Sequence, residues 1–327
     1  MAAGLSERFA PISYERPKGT LRVRGEILIE RQIRQLHEAG IADITVVVGY
    51  KKEYFFYLAE QFGVTIVIND EYLVRNNNGS LWRVRKRLGN TYICSSDDYF
   101  TSNPFEPYAY RAYYSAQYVE GPTQEWCIST GPDDRITGAT VGGRDAWTML
   151  GHAYFDRAFS AAFTRILEEV YDLPRTAPLL WESIYLDHVK ELDMVIRRYP
   201  TGMINEFDSV DEIRSFDPMF MENVDSKVFD TISSALGCAK SQIRDFYPLK
   251  QGITNLSCHF AVDDREYVYR HPGIGTDKII DRRAETASLE LVGEWLFIYY
   301  RHAADHVDRL LAEYESAACA TVKGARA

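Results

Sequence analysis

The residues with the clearest chemical use stand at the start of the chain, where Ala2-Ala3-Gly4 is followed by Ser6, Arg8 and Lys18. Small side chains let backbone N–H groups approach a bulky anion, and a turn there aims them at phosphate oxygens. Arg8 and Lys18 add side-chain charge near the same turn. A small-residue turn with two cations is chemistry for holding a polyphosphate. Farther along, Asp97 follows the short run Thr91-Tyr92-Ile93-Cys94 and the polar Ser95-Ser96. That places it at the carboxyl edge of a candidate strand, where open α/β sheets bind their ligands.

The elements that must position these groups follow from periodicity. Glu26 to Ala39 carries Ile29, Ile33 and Leu36 at helical spacing and ends at Gly40. Ile44 to Val48 and Val64 to Ile68 are β-branched runs with the look of buried parallel strands, separated by a helix over Lys52 to Phe62. Another helix is expected over Leu81 to Leu88. The alternation implies a layered sheet built from βαβ-type units. After Asn103-Pro104, four consecutive short strands are expected, at 112–119, 125–130, 136–141 and 147–155, as an antiparallel insertion. Helices over Arg157 to Tyr171 and Leu179 to Val189 precede a strand over Met194 to Arg198. Ser209-Val-Asp-Glu212 has the form of a capping box, so Asp208 is the last residue before a helix.

Composition bounds the function. The 327 residues are 46% hydrophobic and 26% charged, ordinary globular values, and the net charge is −10. An acidic chain with a pI near 5.3 argues against nucleic acid as the main partner. Cys94, Cys127, Cys238, Cys258 and Cys319 are scattered and odd in number, which favours reduced thiols over disulfides or a zinc site. No apolar run is long enough to span a bilayer and no signal peptide is visible, so a cytoplasmic protein without membrane insertion is expected.

Taken together, Met1 to about Phe216 resembles the bacterial CTP:phosphocholine cytidylyltransferases. The matching stretches are Ala2-Ala3-Gly4 with Arg8, Pro17-Lys18, Val48-Gly49-Tyr50, Asn76-Asn77 with Ser80-Leu81, Ser95-Ser96-Asp97, Glu125-Trp126, Trp181-Glu182, Lys190 to Asp193, and Glu206 to Ser209. The resemblance implies a Rossmann-like α/β fold, a mixed sheet with an antiparallel insertion, that joins CTP and phosphocholine into CDP-choline and pyrophosphate. It implies nucleotide binding by Ala2, Ala3, Gly4, Ser6, Arg8, Lys18, Gly49, Tyr50, Asn76 and Ser80. Catalysis falls to Arg8, Lys18 and Asp97. Mg²⁺ is expected as cofactor, held by Asp97 and Asp208, with Asp98 the alternative ligand. Glu125, Trp126, Trp181 and Glu182 match the positions that meet the acceptor, since a quaternary ammonium is held by aromatic faces and a nearby carboxylate. Two other readings stay open, transfer to a sugar or inositol phosphate, and a fragment that binds nucleotide without turnover.

Tyr247 to Glu285 resembles a different family, the N-terminal lobe of choline kinase. Gln251-Gly-Ile-Thr-Asn255 matches its nucleotide loop, Tyr267 to Arg270 its third strand and Asp281 to Glu285 its following helix. The catalytic lobe has no counterpart after Glu290, so no kinase activity is expected. The resulting domain expectation is 1–222 for nucleotidyl transfer, 223–290 for a partial kinase-like α+β lobe, and 291–327 for a helical tail. His302 and His306 are spaced as on a solvated helix face. Family members also carry a run of β-branched residues before Ala-Ala-Gly, where this sequence has only Met1. A shortened or mis-started chain is therefore expected.

Overall fold

The computed structural model describes residues 1–249, 255–272, 281 and 297–299. Contacts divide the chain into two units, one of Met1–Leu5 with Pro17–Phe207, the other of Ser6–Arg16 with Asp208–Ala327.

In the first unit a short antiparallel pair, β1 (Arg22–Val23) and β2 (Glu26–Ile27), feeds α1 (Leu28–Glu38). Leu28, Ile29, Ile33 and Leu36 are its buried face. The helix ends because Gly40 takes φ 78°, a conformation side chains disfavour. Next come β3 (Thr45–Val48), α2 (Tyr57–Phe62) and β4 (Thr65–Ile68), and β4 pairs parallel to β3 from Thr45↔Thr65 to Val48↔Ile68. α3 (Asn78–Val84), β5 (Thr91–Ile93) and β6 (Asp98–Phe100) follow.

The expected four short strands are two long ones, β7 (Tyr113–Thr130) and β8 (Ile136–Phe155), paired antiparallel as one hairpin. Register shifts, including those between Val119 and Pro122 and between Thr123 and Trp126, interrupt the apolar alternation without ending either strand. The sequence pattern therefore breaks where the chain does not. α4 (Arg157–Val170), α5 (Trp181–Asp187), β9 (Val195–Arg198) and β10 (Ile204–Glu206) complete the unit. Asp156 caps α4 by accepting the Phe159 N–H at 2.8 Å. The four-stranded sheet runs β5-β8-β7-β9, and β9 is parallel to β7. The main core lies where this sheet meets α4 and α5, around Phe155, Phe163, Trp181 and Tyr185. β10 pairs antiparallel with β6 and sets Glu206 opposite Asp98.

The second unit holds α6 (Val210–Phe216), α7 (Phe220–Asn223) and α8 (Lys227–Leu236). Its sheet runs β11 (Ile243–Pro248), β12 (Asn255–Val262), β13 (Arg265–Pro272) and β14 (Phe297–Tyr299). Ser209 caps α6 through the Glu212 N–H at 3.2 Å. Ser6–Arg16 belongs here because Glu15 accepts the Lys227 N–H at 2.8 Å at the start of α8, and Arg16 pairs with Asp225 at 2.7 Å. The first unit thus ends at Phe207, upstream of the expected boundary at 222, because long-range caps outweigh the composition break. β12 and β13 form the expected hairpin across Asp263-Asp264. Phe297–Tyr299, expected as helix, is a strand parallel to β13. Gln251 to Thr254, 282–285, His302, His306 and Cys319 lie outside the described residues. Among those described, no helix is long and apolar enough to cross a membrane.

Candidate active site

The small-residue turn leaves the sheet between two neighbours. The Ala2 N–H donates to the Val47 carbonyl at 2.7 Å, the Ser96 N–H donates to the Met1 carbonyl at 3.0 Å, and the Tyr50 N–H donates to the Ala3 carbonyl at 3.1 Å. Gly49 must be glycine here, since a Cβ would stand 2.8 Å from the Ala3 oxygen. Ala2 and Ala3 are buried while Gly4 is exposed with nothing near its α-carbon, so the turn presents its backbone to solvent at Gly4. Tyr50 is half-buried against Tyr72, and burial pushes its phenol up to about 12.

Lys18 is only 6% exposed, and its Nζ sits 2.8 Å from Asp97 Oδ2. A buried ammonium needs such a partner. The approach is fixed by Gly19, where a Cβ would fall 2.7 Å from Ser96 Oγ, so the Pro17-Lys18-Gly19 turn rests directly on the carboxylate loop. Helix α1 holds that loop from the other side. Gln32 Nε2 donates to the carbonyls of Ser95 at 2.7 Å and Asp98 at 2.8 Å, and Arg31 donates to the Phe100 carbonyl at 2.8 and 3.0 Å. Asp98 is fully buried and neither carboxyl oxygen has a hydrogen-bond partner. Burial, then Glu206 and Asp97, push its carboxyl well above the usual carboxylate range, opposed by Lys18. An orphaned buried carboxylate beside an ion pair is a cation-ready arrangement.

The other carboxylate expected to hold metal, Asp208, belongs to the second unit. There its Oδ2 accepts from Arg8 Nη1 at 2.6 Å, with the arginine side chain 73% exposed. Ser6, also in the second unit, takes φ 52°.

A second cluster gathers around Glu182. Its Oε2 accepts from Asn77 Nδ2 at 3.1 Å and its Oε1 from the Tyr114 hydroxyl at 3.2 Å. Burial pushes its carboxyl up to about 7 against those two donors. Trp181 is 1% exposed, stacked on Tyr114 at 5.7 Å and edge-on to Phe155 and Phe163, so its indole is a core residue. Trp126 is partly buried against the same core, and Glu125 is exposed. Asn76 Nδ2 donates to the Pro178 carbonyl at 3.1 Å, and Ser80, 3% exposed, accepts from Asn69 at 3.3 Å. Asn76 therefore braces the loop ahead of Glu182, whereas Ser80 ties α3 to the end of β4. Tyr114 and Gln32 were not among the expected site residues. Gln32 could have been found, because it interrupts the apolar face of α1.

With this geometry in place, relatives are informative. A choline-phosphate cytidylyltransferase from Streptococcus pneumoniae is 34% identical over 217 residues, spanning 66% of this chain and 95% of the relative. The chain belongs to this cytidylyltransferase family. Residues 1–94 match the MobA-like NTP transferase domain. A 2-aminoethylphosphonate cytidylyltransferase from Lancefieldella rimae is 35% identical over 221 residues, covering 66% of the chain and 90% of the relative. The solved structure of CTP:phosphocholine cytidylyltransferase from S. pneumoniae superposes with a TM-score of 0.64 at 33% identity, over 67% of this cytidylyltransferase and 96% of that chain. A putative glucose-1-phosphate thymidylyltransferase from Bacillus anthracis, at 16% identity and a TM-score of 0.54, shares the fold. The fold is thus the mixed α/β nucleotidyltransferase fold.

Proposed function

We propose that the chain transfers CMP from CTP to phosphocholine, giving CDP-choline and pyrophosphate. The observation that carries this is the buried Lys18–Asp97 pair, seated on Gly19 and flanked by the unpartnered Asp98 at the end of a small-residue turn. A phosphate oxygen of the acceptor forms a bond to the α-phosphorus of CTP as the bridging bond to the β-phosphate breaks and pyrophosphate leaves. Both partners are anions, so the protein's task is charge neutralisation and alignment. Backbone N–H groups of Ala2 to Gly4 and the Lys18 ammonium hold phosphate oxygens, and Asp97 keeps Lys18 aimed. Asp97 and Asp98 fit Mg²⁺, which takes one or two carboxylates with phosphate and water oxygens. Bound there, it would offset charge on the triphosphate.

Glu182, Tyr114 and Trp126 would receive the cationic head of the acceptor. Glu182 accepts bonds from Asn77 and Tyr114, and a carboxyl beside the Tyr114 ring suits a trimethylammonium, which is held by charge and aromatic contact and donates no bonds. A primary ammonium, as in 2-aminoethylphosphonate, needs acceptors. That acceptor is the second reading, supported by the L. rimae relative. For 223–290 the kinase-like reading stays a proposal, without phosphoryl transfer from ATP to choline. Pyrophosphate release from CTP with phosphocholine, 2-aminoethylphosphonate, glucose 1-phosphate and inositol 1-phosphate tests the assignment. Phosphocholine should turn over fastest. Turnover with the phosphonate or a sugar phosphate alone would replace the acceptor, and none with any would leave a nucleotide-binding protein.

A further inference from the structure

Asp98 stands on a two-stranded ladder whose outer edge is closed by a side chain outside both ligand clusters. Among the described residues β10 pairs with β6 alone, with Ile204 opposite Phe100, Asn205 opposite Tyr99 and Glu206 opposite Asp98. In an antiparallel pair every second residue turns its N–H and carbonyl to the outer edge. Here that residue is Ile204, since the Thr101 N–H bonds to the Met203 carbonyl one place earlier. So short a two-stranded ladder is marginal unless its edges are covered. Arg31 covers the β6 edge at the Phe100 carbonyl.

Gln117 of β7 covers the β10 edge. Its Nε2 donates to the Ile204 carbonyl at 2.6 Å, and its Oε1 accepts from the N–H groups of Met203 at 3.1 Å and Ile204 at 3.4 Å. The amide thus does what the peptide group of a neighbouring strand would do, and at 4% exposure water does not compete for these bonds. A second device converges on the same residue. Between the register pairs Tyr114↔Ala153 and Ala116↔Met149, Ser115 alone opposes Leu150, Gly151 and His152, a bulge in β8. Ser115 Oγ bridges it, 2.5 and 2.6 Å from the Leu150 and His152 carbonyls. Gly151 takes φ 89°, and a Cβ there would stand 2.8 Å from Ile204 Cγ2, so the bulge seats Ile204 directly. β7 also carries Tyr114, whose hydroxyl donates to Glu182. One strand therefore holds the Glu182 cluster at Tyr114 and, three residues on, the ladder that bears Asp98.

We propose that Gln117 is a positioning residue for nucleotidyl transfer, fixing the β6–β10 ladder against β7 so that Asp97 and Asp98 keep their place relative to Tyr114 and Glu182. This role rests on the reaction proposed above. In-line transfer between two anions depends on placement, and an error of about 1 Å costs on the order of 10²-fold. Gln117 acts through the ladder, not by touching either substrate, so its loss lowers the rate of the bound complex and leaves the binding of each substrate nearly unchanged.

Two variants of the full chain test this. Gln117→Met keeps the length of the side chain and removes every bond it makes, whereas Gln117→Glu restores them only when its carboxyl is protonated. The readouts are kcat, KM for CTP and for phosphocholine, thermal midpoint, and backbone hydrogen exchange over 98–100 and 203–206. Well below its midpoint, Gln117→Met should lose about ten-fold or more in kcat with both KM values within about three-fold, and exchange should quicken in both segments. The rate of Gln117→Glu relative to the unaltered chain should rise as pH falls, because the protonated carboxyl donates to the Ile204 carbonyl as the amide does, while the same ratio for Gln117→Met stays flat. Should Gln117→Met not fold, the pH dependence of the Gln117→Glu ratio decides alone. A lower midpoint with kcat unchanged, a rise in both KM values with kcat kept, or a Gln117→Glu ratio indifferent to pH would overturn the proposal and leave Gln117 a packing residue. No turnover by the unaltered chain with any acceptor would remove the reaction and this role with it, a result told apart by exchange that still quickens in Gln117→Met.

Discussion

Two ion pairs share a residue pattern and differ in almost everything that decides their worth. Lys18 and Asp97 meet at 2.8 Å with 7% and 23% of their side chains exposed, whereas Arg8 and Asp208 meet at 2.6 Å with 73% and 34% exposed. The first is held in low dielectric by Gly19, Ser96 and the Gln32 amide. The second stands in solvent, where water and salt screen it. Distance alone would rank them equal. Under the proposed reaction, burial makes the first pair the one whose charge a bound triphosphate would feel, since a preorganised charge costs no reorganisation only where water is excluded.

The sharpest way to break this contrast is Lys18→Ala, expected to lower turnover by about 10²-fold or more. Asp97→Ala should match it, because the ammonium then loses its aim. Steady-state pyrophosphate release reads both, and a near-unchanged rate for either removes the pair from the site.

Asp98→Asn comes next and should move two quantities in opposite directions. Turnover falls, while the thermal midpoint of the unliganded protein rises, because a buried carboxyl without partners is replaced by a neutral amide. The sign follows from linkage. A carboxyl whose folded value is raised holds its proton in the folded state, so stability is lost as pH climbs through the ordinary carboxylate range and above. The variant should flatten that decline. A midpoint that drops at neutral pH would mean the carboxylate is already compensated.

Arg8→Ala sharpens the comparison from the other side. It should cost less than about ten-fold in turnover and about 0.2–1 kcal/mol in stability, as expected for an exposed pair, with both losses shrinking at high salt. A loss as large as that of Lys18→Ala would show that exposure is a poor guide here.

The smallest expected effect is Glu182→Gln. Its carboxyl is held near 7 by burial, so its contribution to stability declines as pH rises from about 4.5 to about 7. Gln at this position should remove that segment of the stability–pH curve and weaken acceptor binding more than CTP binding. Equal weakening of both ligands would assign Glu182 to packing.

Much of the frame was legible because local rules agree with the fold. The Gly40 and Gly63 stops, the β-branched runs of β3 and β4 and the Ser209 cap are each written in a few adjacent residues. The long hairpin was not, because its register shifts imitate turns. Within the site, the partnership of Lys18 with Asp97 spans many intervening residues and depends on the bare α-carbon of Gly19, which no spacing reveals. Trp181 illustrates the converse. An aromatic beside a carboxylate reads as a ligand cage, yet its indole lies wholly in the core and Tyr114 occupies the position next to Glu182.

The most direct measurement follows the α-phosphorus. Incubation with CTP labelled at that position and with phosphocholine should place the label in CDP-choline. The same assay on Lys18→Ala should lose at least a hundred-fold in label transfer, and on Arg8→Ala less than ten-fold. Label that stays in CTP with the unaltered chain, or losses in the reverse order, would contradict the account.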